Sequence, residues 1–335
     1  VTAEPRREED GGADDEKVSD EGANEPSPSK RAATVKGIRV WVPGGRGLLG
    51  QAMMLELQLR GIDAVATGLE VDITSAQAVH AAFAEHRPTH VVNCAAYAQV
   101  DDAEKEEATA LAANGEGPGI LARGAREHGA AFVHFSTDYV FDGRGTEPYP
   151  VDAPCAPASA YGRTKRVGEE RVLEVIAQGL RGYIIRTSWL FGVGGKNFVS
   201  TMLELMAKRP ELRVVHDQRG RPTYAPDLAA ASLDLAGIDT GLTPAEPGLY
   251  HFANAGAVSW FEFARRIAER ARELDFPLSL ERLLPCTTAE FPRPAPRPAW
   301  SVLDTTRIER ALGRTPRHHA LALDEYLEYL WEHDS

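Results

Sequence analysis

The stretch Pro43-Gly44-Gly45-Arg46-Gly47-Leu48-Leu49-Gly50 narrows the choice of fold more than any other, because of what flanks it. Before it runs Ile38-Arg39-Val40-Trp41-Val42, a short β-prone segment. After it Met53, Met54, Leu57 and Leu59 recur at helical spacing. Strand, glycine turn and helix in that order are the context in which G-x-x-G-x-x-G carries meaning. Gly44, Gly47 and Gly50 let the backbone approach a pyrophosphate. The helix start adds free N–H groups and the positive end of its dipole. A purely structural glycine turn is the alternative, and the position at the head of an α/β pattern favours dinucleotide binding.

That pattern continues. Strand-like runs at 63–67, 90–94, 131–136 and 182–188 alternate with helical stretches at 75–86, 103–128 and from Tyr161 onward. Strands separated by helices of that length read as α/β, a Rossmann-type doubly wound parallel sheet. Ligands of such sheets lie beyond the carboxyl ends of the strands. Residues 44–50, Asp72, 94–97, 136–138 and 188–191 should therefore face one crevice. From about Phe191 the alternation loosens, with 217–223 reading as a loop and 292–298 rich in proline. We expect a smaller, interleaved C-terminal substrate-binding lobe over 191–335, with segments near 212–255 returning to the dinucleotide-binding domain of 37–190. Residues 1–36, rich in Glu, Asp, Gly, Pro and Ser, cannot bury enough surface to order themselves and read as a disordered acidic tail.

The totals exclude several classes. A net charge of −12 argues against a broad phosphate-binding face and so against nucleic acid. Cys94, Cys155 and Cys286 are too scattered for a disulfide framework or a metal knuckle, and read as reduced thiols of a cytoplasmic protein. No apolar run approaches the ~20 residues of a membrane span, and the acidic start does not read as a signal peptide.

Chemistry enters at Ser136-Thr137-Asp138 and Tyr161-Gly162-Arg163-Thr164-Lys165. A tyrosine and a lysine four apart on a helix point the same way, and a hydroxyl at the preceding strand's end can face both. Free tyrosine titrates near a pKa of about 10, and a fixed ammonium beside it should favour the phenolate. By itself Tyr-x-x-x-Lys is a weak signal, since surface helices produce it by chance.

Several motifs add to it: Asn93-Cys94-Ala95-Ala96-Tyr97 leading to Val100-Asp101-Asp102-Ala103-Glu104, Ser136 to Gly143, Arg186-Thr187-Ser188-Trp189, Asn197-Phe198, Asp217-Gln218 with Gly220 and Pro222-Thr223, and Arg297-Pro298. With these the chain, from about Ile38 to its last helix, resembles the extended short-chain dehydrogenase/reductases, and within them the dTDP-4-dehydrorhamnose reductase family. The resemblance implies NAD(P)H-dependent reduction of the 4-keto group of a nucleotide-linked 6-deoxyhexose. Tyr161 would protonate the developing alkoxide, Lys165 would hold the nicotinamide ribose, and Thr137 would bond the substrate oxygen. Gly47-Leu48-Leu49, Asp72-Ile73 and Ala96-Tyr97-Ala98, together with Gly44, Gly50 and Ala95, match the family's cofactor contacts. For Asp72 a helix-capping role competes evenly. Asp138, Trp189, Asn197 and Arg297 match substrate contacts.

The second strand ends at Thr67-Gly68 with no carboxylate until Glu70, and Arg46 could meet a 2′-phosphate, so NADPH is expected in preference to NADH. Ala52 stands where some family members carry a glutamate for a magnesium-bridged dimer. No metal is therefore expected, and the chain should be a monomer or weak homodimer. Ala98 and Phe191 replace a threonine and a tyrosine, which removes two hydroxyls from the expected substrate side. Two other readings stand beside this one. A 4,6-dehydratase or epimerase is disfavoured because Thr137-Asp138-Tyr139 lacks the dehydratase's second acid. A non-catalytic subunit resembling the methionine adenosyltransferase beta subunit is disfavoured by the complete Thr137, Tyr161 and Lys165 set.

Overall fold

The computed structural model describes residues 37–238 and 243–334, so the acidic tail lies outside the described residues. The first half alternates strand and helix: β1 (Arg39–Pro43), α1 (Leu48–Leu59), β2 (Asp63–Thr67), α2 (Ala76–His86), β3 (His90–Asn93), α3 (Glu107–Leu111), α4 (Gly117–Glu127), β4 (Ala131–Thr137), α5 (Ala160–Ala177) and β5 (Gly182–Thr187). The second half holds β6 (Leu190–Phe191), α6 (Phe198–Lys208), β7 (Glu211–Val215), β8 (Arg219–Gly220), β9 (Thr223–Tyr224), α7 (Ala225–Leu235), β10 (Gly248–His251), β11 (Val258–Ser259), α8 (Trp260–Glu273), β12 (Arg282–Cys286), α9 (Thr306–Leu312) and α10 (His319–Asp334).

Six strands form one parallel sheet in the order β10-β5-β4-β3-β1-β2. Strand periodicity explains its two faces. Val40, Val42, Val133, Tyr183 and Ile185 enter one core with Met53 and Leu57 of α1 and Leu228 of α7. Trp41, Val91, Phe132 and Ile184 enter the other with Phe83, Leu121 and Val172 of α2, α4 and α5. Each such aromatic or branched side chain contributes about 1.5–3 kcal/mol by leaving water. Because all strands run one way, the loops after β1, β2, β3, β4 and β5 open on one edge.

Local chemistry sets the helix starts. Ser159 caps α5 by accepting from the Gly162 N–H at 3.1 Å, and Ser75 caps α2 by accepting from Ala78. A buried pair fixes α5 to β5: Arg186 donates to Glu169 at 2.7 and 2.8 Å, both side chains essentially without solvent. Burial pushes the Glu169 carboxyl up, but the Arg186 bonds and charge outweigh it and hold it below its usual range. Removing either partner would strand a buried charge.

The expected continuous helix over 103–128 is interrupted. It divides into α3, a π-helical turn at Ala112–Glu116, and α4. The cause is Asn114, fully buried, which accepts from the Tyr97 N–H at 2.9 Å and donates to the Tyr97 carbonyl at 3.0 Å. Widening the helix there aims that amide at the loop after β3. Such bulges recur at functional sites.

Beyond β5 the chain leaves the sheet. Phe191, Val199, Met206, Leu212, Phe263, Leu323 and Tyr326 form a separate core between α6, α8 and α10. There β7 pairs with β12 rather than with the main sheet. Two later elements then return, α7 against α1 and β10 beside β5. The 217–223 segment, expected as loop, carries β8 and β9, each two residues long and each paired outside the main sheet.

Candidate active site

The glycines at the β1–α1 turn divide the work between them. Gly44 has φ +73°, and a Cβ there would lie 2.4 Å from the Ala95 nitrogen. A Cβ on Gly50 would lie 2.2 Å from the Gly44 carbonyl oxygen. Both therefore close the backbone onto itself. Gly47 differs: its Cβ would meet nothing nearer than 3.4 Å, so it faces the open crevice. It is also the N-cap of α1 and offers no side chain to the first-turn N–H groups, and no acid occupies that turn. Unpartnered N–H groups at Leu48 and Leu49 beside an empty glycine face suit a pyrophosphate. The Leu49 side chain itself packs in the core.

Around this turn the other expected cofactor residues take distinct places. Arg46 is exposed and pairs with Glu70 at 3.0 Å, and the Gly68 N–H donates to the same carboxylate oxygen at 2.9 Å. Asp72 accepts from the Thr74 N–H and hydroxyl at 2.9 and 2.7 Å, while Ser75 is the cap of α2. Ser75 and not Asp72 is thus the cap, and the Asp72 carboxylate is held by Thr74 in the turn ahead of the helix. Ile73 is buried, packed where a Gly117 Cβ would touch it, so only its backbone is left to a ligand. Ala95 abuts the glycine turn and Ala96 is exposed. Tyr97 packs with Tyr161 and donates its hydroxyl to Glu106 at 2.9 Å.

Thr137 ends β4 and α5 carries Tyr161 and Lys165; the Thr137 hydroxyl acts on the Tyr161 phenol, while Lys165 bonds the β4 backbone two residues before Thr137. The Tyr161 ring stands edge-on to Tyr139, centroids 5.6 Å apart. Its phenol is pushed up to about 12, first by burial, then by the Asp138 charge, with the Thr137 hydroxyl pulling the other way. The ammonium was expected to lower it. Lys165 instead is buried and donates to the Phe135 carbonyl at 2.6 Å, and burial lowers its own pKa to about 8. A desolvated, partly engaged ammonium does little for the neighbouring phenol here.

Asp138 is almost fully buried, and Thr137 donates to its Oδ1 at 3.0 Å. Burial raises its pKa to about 6, against the pull of the Ser301 and Thr137 hydroxyls.

On the other side of the crevice lies a cavity of about 580 Å³, lined by Tyr139, Phe198, Trp260, Phe291, Arg293 and Arg297 among others. Trp189, at φ +48°, stacks flat on Trp260 with centroids 3.4 Å apart. A non-glycine residue held in that conformation costs of order 1–3 kcal/mol, the kind of strain that clusters at ligand sites. A Cβ on Gly220 would fall 2.5 Å from the Trp189 ring, so the indole lies over bare backbone. Arg297 pairs with Asp101 at 2.9 Å, and Arg293 donates to the same carboxylate at 2.5 Å, which ties the proline-rich segment to the loop after β3.

Two expectations change. The Asn197 side chain caps α6 by accepting from Val199 and Ser200, and donates to the Gly192 and Gly195 carbonyls and Tyr326. All its polar atoms are engaged within the fold, which leaves none for a sugar diphosphate. Phe191 is fully buried among Tyr224, Phe263 and Tyr326, so its missing hydroxyl belongs to the core and not to the substrate side. Trp260, Phe291, Arg293, Asp101 and Asn114 were not singled out as site residues from sequence. Only Asp101 carried a signal there, as part of the Val100–Glu104 motif.

The family described as RmlD substrate binding domain matches residues 38–331. The chain belongs to that family. It is 45% identical over 287 residues to the dTDP-4-dehydrorhamnose reductase of Streptomyces griseus, covering 85% of this chain and 91% of that one. It is also 45% identical over 281 residues to a probable dTDP-4,6-dihydroxy-2-methyloxan-3-one 4-ketoreductase of Streptomyces antibioticus, covering 83% and 90%. Among solved structures, the Bacillus anthracis dTDP-4-dehydrorhamnose reductase in complex with NADP is 35% identical, with a TM-score of 0.79, covering 87% of this chain and 99% of that one. A UDP-glucose 4-epimerase of Thermotoga maritima, 19% identical with a TM-score of 0.74, shares the fold. Residue 139 is a tyrosine, not a second acid, so the constellation of this RmlD-family member departs from a dehydratase's.

Proposed function

We propose that the chain reduces the 4-keto group of a dTDP-linked 4-keto-6-deoxyhexose with NADPH. One observation carries the reading: the Tyr161 phenol, acted on by Thr137, stands edge-on to Tyr139, which lines a large, mainly apolar cavity holding four arginines, in a fold whose first turn is a backbone cradle fit for a dinucleotide. The residues present fit the cofactor, since Gly47 and the uncapped start of α1 offer donors and room where a pyrophosphate would lie. When bound, the nicotinamide supplies the hydride.

The chain's own residues do the rest. Tyr161, with its pKa at about 12, is a protonated phenol across the physiological range. An alkoxide is a far stronger base, so proton transfer from that phenol runs downhill. Lys165 uses one of its three donors on Phe135 and has the others for ribose hydroxyls. Arg297 and Arg293, already drawn together by Asp101, present cations to a diphosphate, and the Trp189–Trp260 stack forms a flat wall for the sugar. Arg46 takes the 2′-phosphate of NADPH in exchange for Glu70, with NADH accepted more weakly.

No helix of the described residues is long and apolar enough to cross a membrane. We place the enzyme in the cytoplasm, metal-free and as a monomer or weak homodimer, which size-exclusion chromatography with and without chelator would check. The deciding experiment follows NADPH oxidation across a panel of dTDP- and other nucleotide-linked 4-ketosugars, with the new stereocentre read by NMR. Oxidation with at least one dTDP-4-ketosugar is expected. No oxidation with any of them would end the reading, and higher kcat/KM with NADH would end the cofactor preference.

A further inference from the structure

The Val100–Glu104 motif is only half used by the site as described. Asp101 holds Arg293 and Arg297, while Glu104, at the other end of the same stretch, has no part in the chemistry above. Between them lies a 3₁₀ turn, Asp102–Glu104, with Asp101 as its N-cap. Three residues per turn bring positions i and i+3 to one side of such a helix. The two acids are spaced in that way, and each grips a different element.

Glu104 grips the start of α5. Its Oε1 accepts from the Ala160 N–H at 2.8 Å. Ala160 is fully buried, opens α5 and directly precedes Tyr161. The first N–H groups of any helix lack partners within the helix. In α5 Ser159 takes the Gly162 N–H, and the first turn itself holds no acid. Glu104 therefore brings an acceptor to that turn from another element. The fit around it is close. Ala103 and Ala110 pack with Ala160, Tyr97 and Tyr161, and Glu107 accepts from Arg163 at 2.8 and 2.9 Å. A Cβ on Gly162 would lie 2.2 Å from the Tyr139 carbonyl oxygen, so the backbone on the far side of Tyr161 is pinned as well.

Asp101 grips the proline-rich segment. It accepts from Arg293 at 3.1 and 2.5 Å, from Arg297 at 2.9 Å and from the Ala295 N–H at 3.2 Å. That segment comes close to the α5 start: Ala158 and Ser159 share one small cavity, about 30 Å³, with Pro296, Arg297 and Pro298. One short turn thus holds both the arginines and the helix that carries the phenol. A ketosugar seated by its diphosphate must bring its carbonyl oxygen to that phenol. A misplacement of about 1 Å there costs about 10²-fold in rate.

We propose that Glu104 is a positioning residue for the reduction: by holding the Ala160 N–H it fixes the first turn of α5 and keeps the Tyr161 phenol in register with the arginines that Asp101 holds. The inference rests on the ketoreductase reading. Glu104 acts through the α5 backbone, at one remove from the reacting atoms, and what counts is the reach of its oxygen and not its charge.

Three substitutions separate reach from charge. Glu104→Gln keeps an oxygen at the same reach without the charge, Glu104→Asp keeps the charge one methylene short, and Glu104→Ala loses both. With NADPH and the best dTDP-4-ketosugar, Glu104→Gln should keep kcat within about twofold, and the other two should lower it about tenfold or more. KM for the nucleotide sugar and Kd for NADPH should stay within about twofold in all three. Val175→Ala is the control for stability alone. It removes buried packing from the far end of α5, roughly 20 Å along the helix from Tyr161. It should lower the denaturation midpoint as Glu104→Ala does and leave kcat unchanged. Should Glu104→Ala not fold, Glu104→Asp against Glu104→Gln decides alone. Equal kcat loss in Glu104→Gln and Glu104→Ala, or rescue by Asp and not by Gln, would overturn the proposal. So would a rise in KM with kcat kept, unchanged kcat in all three, or a kcat loss in Val175→Ala matching that of Glu104→Ala. Failure of the ketoreductase reading would look different: wild type itself would oxidise no NADPH with any dTDP-4-ketosugar.

Discussion

The two walls of the crevice are built from different material. The cofactor wall is backbone: Gly44, Gly50 and Ala95 approach so closely that a single added carbon would sit 2.2–2.6 Å from main-chain atoms. The opposite wall is side chain, with Tyr139, Phe198, Trp260, Phe291, Arg293 and Arg297 drawn from segments far apart in sequence and its two arginines 293 and 297 tied by one carboxylate, Asp101. A backbone cradle depends on a short contiguous stretch and tolerates almost no change. A side-chain wall can be altered one residue at a time while the fold stands.

The residue between the walls should give the largest effect. Tyr161→Phe should lower kcat by about 10²–10⁴-fold, with NADPH affinity unchanged by fluorescence titration. A near-normal rate would remove the proton-donor role. Next, Gly50→Ala must push the Gly44 carbonyl away, at about 1–3 kcal/mol of stability. It should abolish NADPH saturation while calorimetric binding of the nucleotide sugar persists. Equal loss of both ligands would mean the walls are not separable. On the other wall, Arg297→Ala removes a charge-assisted bond worth about 1.5–3 kcal/mol. KM for the nucleotide sugar should rise about tenfold or more while KM for NADPH stays put. A matching rise in both would break the contrast.

The same difference in material decided what could be read from sequence. The glycine turn, the strand–helix alternation and the edge where ligands lie follow from contiguous patterns, and the parallel sheet carries them. Tyr161 and Lys165 were weak by spacing and were placed by the motifs around them. What local patterns could not reveal is where a side chain's partners come from. The π-turn at Asn114 exists because Tyr97, seventeen residues earlier, needs both its backbone groups bonded. The phenol rises instead of falling because burial and Asp138 outweigh the Thr137 hydroxyl, while the ammonium spends its bond on Phe135. Asn197 did carry a local signal, Asn-x-x-Ser ahead of an apolar helix, and that capping pattern describes its side chain. Trp260 and Arg293 are brought to the cavity only by tertiary packing.

The smallest effect should come from the two positions where the chain lacks an expected hydroxyl, and it tests whether the substrate wall ends where the geometry places it. Ala98 is exposed in the loop after β3, close to the residues that hold the crevice open, whereas Phe191 is fully buried among aromatic rings of the second core. Phe191→Tyr adds a hydroxyl with no assigned partner, since Asn197 already bonds Tyr326 there. It should therefore cost about 1–3 kcal/mol in chemical denaturation and leave the ranking of ketosugars untouched. Ala98→Thr should do the reverse, with little change in stability and a shift of at most a few-fold in relative kcat/KM among ketosugars, because an exposed hydroxyl competes with water for the same bond. If Phe191→Tyr reordered substrate preference and Ala98→Thr did not, the side-chain wall would have to extend through the second core, and the sugar would reach deeper than the Trp189–Trp260 stack.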